Sequence, residues 1–273
     1  MRIITDVRLP QLNGNTFKSN FFSITLDDKN IVQSVNQREP GENLCVETWS
    51  GDWLSPMGLD LQINGGLGLW FSELSFEDLP VLYDLLDQLW RDGIEAICPT
   101  IISCEEESLR RSLSVIEKAR LNHNRKRCEL LGAHLEGPFI ASERRGAHPL
   151  QYLCEPSLVA LDQRIRGFET QIALVTLAPE LPGSEAIISK LRDLGIVISL
   201  GHSNADARTA RESFQNGISM LTHTFNAMPG LHHRAVGPIG EAVSRGDIAI
   251  GLIVDGLHVD PKLIAFLQKA ASE

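Results

Sequence analysis

The sequence lacks the features of a membrane-spanning or secreted chain. It has no run of roughly 18 apolar residues, the length that a transmembrane helix requires. The first residues carry Asp6, Arg8 and Pro10 before any apolar stretch can form, so we expect no signal peptide. The five cysteines are odd in number, and no two have the Cys-x-x-Cys spacing. This pattern is typical of reduced thiols, and it favours a cytoplasmic protein without disulfides.

Positive charge is also scarce, with 25 Lys and Arg against 35 Asp and Glu and a formal net charge of −10. So acidic a chain is poorly suited to nucleic acid or an anionic membrane, because both would repel it. We expect neither partner, although a small anionic ligand needs only a few local donors. No Gly-x-Gly-x-x-Gly follows an early strand, and there is no internal repeat or low-complexity tract.

The 273 residues divide into two parts with different sequence patterns. Residues 1–53 contain short β-like runs separated by turn residues, which predict a small all-β segment. Residues 54–273 alternate short apolar runs with stretches of helical periodicity. Strands without strict polar alternation, joined by helices, predict a parallel α/β sheet that is covered on both faces.

Seven strands are predicted in the second part, followed by a last helix at 261–273. They span 57–63, 94–100, 128–135, 172–178, 196–202, 219–225 and 248–256. Polar residues stand at the carboxyl ends of these strands, where a (β/α) barrel of the TIM type places its chemistry. We therefore predict such a barrel, lacking its eighth strand, rather than a Rossmann sheet.

Three strand ends carry residues that can bind a metal ion: Glu136 in HLEGP, His202 in GHSNA and His223 in THTFNAMPG. A carboxylate at the end of a buried strand is costly unless it is paired, protonated or bound to a cation. One carboxylate and two neutral imidazoles are a usual ligand set for a catalytic divalent ion. The alternative is that each is a hydrogen-bonded structural residue, and these residues alone leave both interpretations open. His134 is expected to face away from Glu136 and to be structural.

Polar residues after the later strands could hold an anionic group. Asn226 and Ala227 precede the basic segment LHHRAVG, where Arg234 and two imidazoles suit an anion, although a solvated loop explains them equally well. His258 follows the last strand in DGLHV, where a surface histidine is the simpler interpretation.

The motifs HLEGPFI, GHSNAD, THTFNAMPG, the HHR that follows and IVDGLHVD occur in this order. From about residue 54 onward the sequence resembles the N-acetylglucosamine-6-phosphate deacetylase family of the amidohydrolase superfamily, and residues 1–53 resemble its small β-sandwich domain. The resemblance implies that Glu136, His202 and His223 bind one divalent ion. Zinc is expected, and iron, cobalt or nickel suit the same ligands. Gln62 and Asn64 stand where related enzymes have His-x-His, so a second ion is not expected.

The resemblance also implies roles for residues that contact substrate. His148 matches the histidine that contacts the substrate near the scissile amide. The sugar phosphate would be held by Asn226, Ala227, Arg234 and His258. The implied reaction is metal-assisted hydrolysis of N-acetylglucosamine 6-phosphate to acetate and glucosamine 6-phosphate, in a cytoplasmic homodimer of amino-sugar catabolism.

One part of the family pattern is missing. The family's general base is an aspartate in a Thr-Asp-Ala motif that ends strand eight, and no such motif follows the seventh strand here. Asp60 and Asp255 are not substitutes by position. We therefore expect a C-terminally truncated chain with little or no activity. The alternatives are an inactive remnant that still binds metal or sugar phosphate, and a deacetylase for the galactosamine epimer. A phosphate-binding barrel isomerase is disfavoured because it would not need the Glu/His/His set.

Overall fold

The computed structural model describes residues 1–10, 21–38, 47–49 and 52–271. They form two compact units, one made of Met1–Met57 with Gln268–Glu273 and the other of Gly58–Leu267. Among the described residues, no helix has both the length and the apolar content that crossing a bilayer demands.

The first unit contains one described β-sheet of four strands. These are β1 Arg2–Val7, β2 Phe21–Leu26, β3 Val32–Arg38 and β4 Glu47–Thr48, in the order β3-β2-β1-β4. The pairs β1/β2 and β2/β3 are antiparallel, and β1/β4 is parallel. Ile24 and Leu26 alternate on β2, and with Ile4 and Val7 of β1, between which the register shifts, they make a small apolar core.

The second unit is built on a parallel sheet, as the sequence predicts. Its strands and a short hairpin are β5 Gly58–Ile63, β6 Gly65–Gly66, β7 Leu69–Trp70, β8 Ile94–Ile102, β9 Glu129–Leu130, β10 Ala133–Glu136, β11 Ile172–Leu177, β12 Val197–Leu200, β13 Met220–Leu221 and β14 Ala249–Ile250. The order across the sheet is β14-β13-β12-β11-β10-β8-β5, and β9 pairs with β8. In the described part of the chain, β5 and β14 form the two ends and do not pair with each other.

Helices connect most of these strands. They are α1 Leu79–Arg91, α2 Glu106–Leu121, α3 Leu158–Ile165, α4 Ser184–Asp193, α5 Ala207–Asn216, α6 Gly237–Arg245 and α7 Pro261–Ala270. Local signals set their ends: the Asp206 side chain accepts from the Thr209 N–H at 2.8 Å and caps α5. Gly246, with φ of 74°, ends α6.

The central strands are covered on both faces. All four residues of β10 are buried, as are six consecutive residues of β8. Burial on both faces explains why these strands have no polar alternation. The end strands β5 and β14 contain no buried residue, since each has a sheet neighbour on one side only.

Several predicted boundaries are wrong. The run 128–135 forms two short strands, β9 and β10, instead of one. The runs 219–225 and 248–256 keep only two strand residues each, because the chain turns away from the sheet toward the loops that carry polar residues. Helices α3 and α6 were not predicted from the sequence.

Candidate active site

The carboxyl ends of three parallel strands bring the predicted metal ligands to one edge of the sheet. Glu136 is the last residue of β10, His202 lies two residues after β12, and His223 lies two residues after β13. Because parallel strands end on the same side, side chains far apart in sequence meet there. Glu136 and His202 are buried, and the His223 side chain is only 10% exposed.

The three side chains converge on a common point. Nε2 of His202 and Nε2 of His223 each lie 3.1 Å from Oε1 of Glu136. The two Nε2 atoms lie 3.0 Å from each other. Three potential ligand atoms thus form a nearly equilateral triangle within the sheet's carboxyl edge.

The opposite ring nitrogen of each histidine determines where its proton sits. Nδ1 of His202 lies 2.7 Å from the carbonyl oxygen of Arg144, and Nδ1 of His223 lies 3.2 Å from that of Asn226. A carbonyl oxygen only accepts, so each Nδ1 carries a proton and donates it. In the neutral imidazoles, each Nε2 atom therefore carries a lone pair that faces the site.

This donor set fits a cation. Two imidazole lone pairs and a carboxylate oxygen within 3.1 Å of one another repel unless a positive charge lies among them. A carboxylate with two neutral imidazoles, each oriented by a backbone carbonyl, is the arrangement of a divalent metal site. Glu136, His202 and His223 could hold one such ion.

His148 has the opposite protonation. The backbone N–H of Ser103 donates to its Nδ1 at 3.2 Å, so this atom is an acceptor and the proton of the neutral ring is on Nε2. That Nε2–H faces Oε2 of Glu136 at 3.5 Å. By distance alone Glu136, His148 and His202 also group as a possible metal site, with their ligand atoms within 4.8 Å. The proton on Nε2 makes His148 a hydrogen-bond donor to the site instead.

Glu136 is held as a carboxylate. Burial raises its pKa, but hydrogen bonding, to which His148 is the largest contributor, outweighs burial and holds the pKa well below the usual value. Gln62 on β5 adds a donor, since its Nε2 lies 2.8 Å from Oε1 of Glu136. The glutamine predicted in place of a second-ion ligand thus contacts the same carboxylate.

Strained backbone aims the two imidazoles. His202 and His223 have φ of 49° and 32°, and Ala227 has φ of 52°. A positive φ is uncommon for residues other than glycine and costs about 1–3 kcal/mol, so it persists only where surrounding structure enforces it. Such residues cluster at functional sites, as they do here.

The expectation that His134 faces away from Glu136 is wrong. Residues two apart in a strand share a face, and His134 contacts Thr176, which lies directly opposite Glu136 in the sheet register. Its Nε2 lies 2.7 Å from the Thr176 hydroxyl and its Nδ1 3.3 Å from the Thr100 hydroxyl. Complete burial lowers the pKa of His134 to about 4, so its ring is neutral.

Two of the residues expected to hold substrate adjoin the cluster. The carbonyl oxygen of Asn226 accepts the Nδ1 proton of His223, and the Asn226 amide donates to the carbonyl oxygen of His223 at 3.2 Å. The carbonyl oxygen of Ala227 accepts from the N–H of Ser203 at 3.1 Å. The bond between Ser203 and Ala227 ties the loop after β13 to the loop after β12.

The other two lie farther out. Within the described ranges, neither Arg234 nor His258 hydrogen-bonds to the cluster, and both are exposed. Nδ1 of His258 lies 2.7 Å from Oδ2 of Asp255. Backbone N–H groups of His258 and Leu257, with the His258 side chain, lower the pKa of Asp255 to about 2.

A cavity of about 700 Å³ opens beside the cluster, between β5 and the segment after β14. It is lined by, among others, Gln62, Asn64, His223, Ile253 and Asp255. Both Gln62 and His223 border the cavity and contact Glu136, so the convergent side chains are accessible from it.

The residues that orient the imidazoles were not predicted from the sequence. Ser103 holds His148 through its backbone N–H and its hydroxyl, 2.9 Å from Nδ1. Arg144 holds His202 through a backbone carbonyl, which no side-chain pattern reveals. Position after strand β8 is the one signal that could have identified Ser103.

Comparison with known proteins links this arrangement to one group of enzymes. The N-acetylglucosamine-6-phosphate deacetylase of Bacillus subtilis is 31% identical over 99% of this chain and 68% of its own length. That of Danio rerio is 36% identical over 80% of this chain and 55% of its own length. The N-acetylgalactosamine-6-phosphate deacetylase of Escherichia coli O157:H7 is 31% identical over 84% and 60%. No family model matches the chain.

A solved structure has the same fold. The crystal structure of N-acetylglucosamine-6-phosphate deacetylase from Pasteurella multocida superposes with a TM-score of 0.74 at 28% identity, covering 98% of this chain and 68% of the other. This chain has a parallel β/α sheet with a Glu/His cluster at the strand ends, and its fold is the one that this deacetylase has. The chain belongs to the N-acetylglucosamine-6-phosphate deacetylase family. It spans about half the length of the curated animal relatives that it matches.

Proposed function

We propose that this chain acts in the metal-dependent removal of the acetyl group from N-acetylglucosamine 6-phosphate, with glucosamine 6-phosphate and acetate as products. The observation that carries the proposal is the triangle of Glu136, His202 and His223, whose imidazole lone pairs face a carboxylate at 3.1 Å. The names of the relatives supply the substrate class.

Glu136, His202 and His223 hold one divalent ion in this proposal. When bound, the ion supplies Lewis acidity that activates water and polarises an amide carbonyl. Zinc suits one carboxylate and two imidazoles, and iron, cobalt or nickel are accepted by the same set. The carbonyl oxygens of Arg144 and Asn226 keep both imidazoles in the tautomer that such an ion requires.

His148 contributes a hydrogen bond to the reacting group. Its Nε2–H points into the cluster while Ser103 holds Nδ1, so the ring cannot turn its proton away without losing that bond. A fixed donor of this kind stabilises the negative charge that develops on the acetyl oxygen during amide hydrolysis. His148 therefore orients the acetyl group and stabilises its oxygen.

The sugar phosphate is held by Asn226, Ala227, Arg234 and His258. The support is their chemistry and their place in the chain. Asn226 and Ala227 lie in the loop that carries His223, and Arg234 and His258 are exposed donors that suit a phosphate. The cavity beside the cluster, about 700 Å³, has room for a sugar phosphate.

The finer architecture belongs to the same proposal. Residues 54–273 form a TIM-type barrel without its eighth strand, and residues 1–53 form part of a small β-sandwich. In the described part of the chain, the end strands β5 and β14 do not pair with each other, and the cavity lies between them. This gap supports a barrel without its eighth strand. The protein works in the cytoplasm as a homodimer, as the family resemblance implies.

A second candidate is binding without turnover. Among the described residues, no carboxylate other than Glu136 hydrogen-bonds within the cluster, so no separate general base is in place there. Asp255 borders the cavity, but its pKa of about 2 makes it a weak base. The galactosamine epimer is an alternative substrate, supported by the similarity to the Escherichia coli enzyme.

One set of measurements separates these candidates. Purified protein is analysed for bound metal and then incubated with N-acetylglucosamine 6-phosphate and its galacto epimer, with acetate release as the readout. Release that disappears in the His202→Gln variant supports the deacetylase. Metal binding and thermal stabilisation by the sugar phosphate, without release of acetate, support a binding protein. A chain that takes up no metal, with all three ligands intact, contradicts the deacetylase, and one that also shows no thermal stabilisation by either sugar phosphate contradicts both candidates.

A further inference from the structure

A chain of buried hydroxyl groups runs beneath the three proposed ligands. The Thr176 hydroxyl lies 2.7 Å from Nε2 of His134 and 2.7 Å from the Thr222 hydroxyl. The Thr222 hydroxyl lies 2.6 Å from that of Ser199. All four side chains are fully buried, so water does not satisfy these groups in their place.

The hydrogen bonds of this chain all run in one direction. The Thr100 hydroxyl donates to the carbonyl oxygen of Cys98 at 3.3 Å, so it accepts from Nδ1 of His134. Nε2 of His134 is then an acceptor and receives the Thr176 proton. Thr176 in turn accepts from Thr222, and Thr222 accepts from Ser199. Each of the hydroxyls of Thr176, Thr222 and Ser199 thereby donates one hydrogen bond within the series.

The chain connects the three strands that bear the ligands. His134 precedes Glu136 by two residues on β10, and Ser199 precedes His202 by three residues at the end of β12. Thr222 is the residue before His223. Thr176 lies on β11, which carries none of the three proposed ligands, and its hydroxyl joins His134 to Thr222.

We propose that this hydroxyl chain, with Thr176 at its centre, positions the metal ligands relative to one another. The role rests on the proposed function, since it presupposes an ion bound by Glu136, His202 and His223. Thr176 contacts neither the ion site nor the reacting atoms, and it acts through the strands that it joins.

Side-chain bonds supplement the backbone pairing of the short strand β13. Its two residues pair with β12 and β14, and the N–H of Thr222 donates to the carbonyl oxygen of Leu200 at 2.9 Å. A side-chain bond from Thr222 to Thr176 and another to Ser199 add two restraints one residue from the ligand. Fully satisfied buried networks restrict a core to one arrangement, which a metal site with strict distances needs.

The test compares hydroxyl removal with hydroxyl retention. Thr176→Val keeps the shape and removes the hydroxyl, while Thr176→Ser keeps the hydroxyl. Thr222→Val breaks the same chain at a second point. Thr224→Val is the matched control, because Thr224 is fully buried on the other side of His223 and its hydroxyl has no hydrogen-bond partner among the described residues.

Zinc dissociation constants are measured by competition with a chromophoric chelator, and Co²⁺ spectra report ligand geometry. We expect about tenfold weaker zinc binding for Thr176→Val and Thr222→Val, the lower end of what loss of a supporting partner costs. We expect a changed Co²⁺ spectrum in both, with Thr176→Ser and Thr224→Val close to the unchanged protein. Thermal unfolding of each metal-free variant verifies that it is folded.

The two hypotheses fail in different ways. If the unchanged chain binds no zinc, or if His202→Gln leaves zinc affinity unaltered, the proposed site is wrong and the positioning role falls with it. If zinc binding is tight and depends on His202 but Thr176→Val matches the unchanged protein, the positioning role alone is overturned. Equal loss in Thr176→Ser and Thr176→Val also overturns it, because packing and not the hydroxyl would then be responsible.

Discussion

At the scale of single residues, the two kinds of histidine in the cluster differ by what holds the ring nitrogen that points away from it. Backbone carbonyls hold Nδ1 of His202 and His223, which leaves their Nε2 atoms free as ligands. A backbone N–H holds Nδ1 of His148, which leaves its Nε2 as a donor. Main-chain groups of three loops thereby assign chemical roles to side chains of the same type.

This assignment predicts different effects of two equivalent substitutions. His202→Gln removes a ligand, and we expect zinc affinity to fall by more than about 100-fold, beyond the usual cost of losing a mere supporting partner. His148→Gln changes a side chain that contacts the ligand Glu136 without binding the ion, so zinc affinity should fall far less, by about tenfold at most. Isothermal titration with zinc measures both.

The control for these variants is His233→Gln, at an exposed position in the loop after β13. It should bind zinc like the unchanged protein. A similar loss of affinity in His148→Gln and His202→Gln would show that His148 is a ligand and that its tautomer has been misassigned.

At the scale of the secondary-structure elements, the turn after β12 depends on the absence of a side chain. A Cβ added to Gly201 would lie 2.7 Å from the Thr176 methyl and 2.9 Å from the Thr222 Cβ. Both neighbours are fully buried on adjacent strands and have no room to retreat. Gly201 thus allows β12 to end close to β11 and β13, with His202 the next residue.

We expect Gly201→Ala to destabilise the protein by about 1–3 kcal/mol, as overpacking of a buried site does. Gly230→Ala is the matched control, since a Cβ there meets nothing within 4 Å and neither glycine has a positive φ. That variant should be neutral or slightly more stable. Urea unfolding of both variants gives the comparison, and equal stabilities would contradict the close packing at Gly201.

The sequence predicts the elements of the second unit better than their limits. Apolar runs without alternation identified β5, β8 and β11 to within two residues. Helix α6 was not predicted because the segment GPIG is typical of a loop, although proline is well tolerated in the first turn of a helix. Helix α3 was missed although Ser157 caps it by accepting from the Ala160 N–H. Tertiary burial decided these cases, and periodicity does not report it.

The candidate site was likewise predictable from the sequence only in part. The chemistry of Glu136, His202 and His223 is visible as residue types at strand ends, so their convergence was predictable once a parallel sheet was assumed. The positive φ of His202 and His223 was not predictable, because it depends on the loops from Ala141 to Arg145 and from His223 to Ala227. His134 was misjudged by an error in strand alternation, not by missing information.

At the scale of the whole molecule, the neutral His134 makes stability depend on pH. Its pKa is about 4 in the folded protein and roughly 6.5 in an unfolded chain. Between those values the unfolded chain binds a proton that the folded protein does not, so unfolding becomes easier as the pH falls from about 6.5 toward 4. Above pH 6.5 the contribution is complete, and it is worth about 3 kcal/mol at most.

His134→Gln should flatten this part of the profile. Urea unfolding of the metal-free protein at pH 7 and pH 5 is compared with that of the variant, and the unchanged protein should lose more stability between the two values. His148, His202 and His223 are present in both proteins, so the difference isolates His134. Parallel profiles would mean that His134 is not kept neutral by the fold.

The separation of the ligands along the chain has a further consequence. Glu136 is 66 residues from His202 and 87 from His223, so an ion that joins them acts as a reversible cross-link closing two long loops. At a concentration 100 times its dissociation constant, a bound ion stabilises the folded state by about 2.7 kcal/mol. We expect EDTA to lower the melting temperature by about 5–10 °C in calorimetry. For this protein, thermal stability would then track the supply of the trace element in its surroundings.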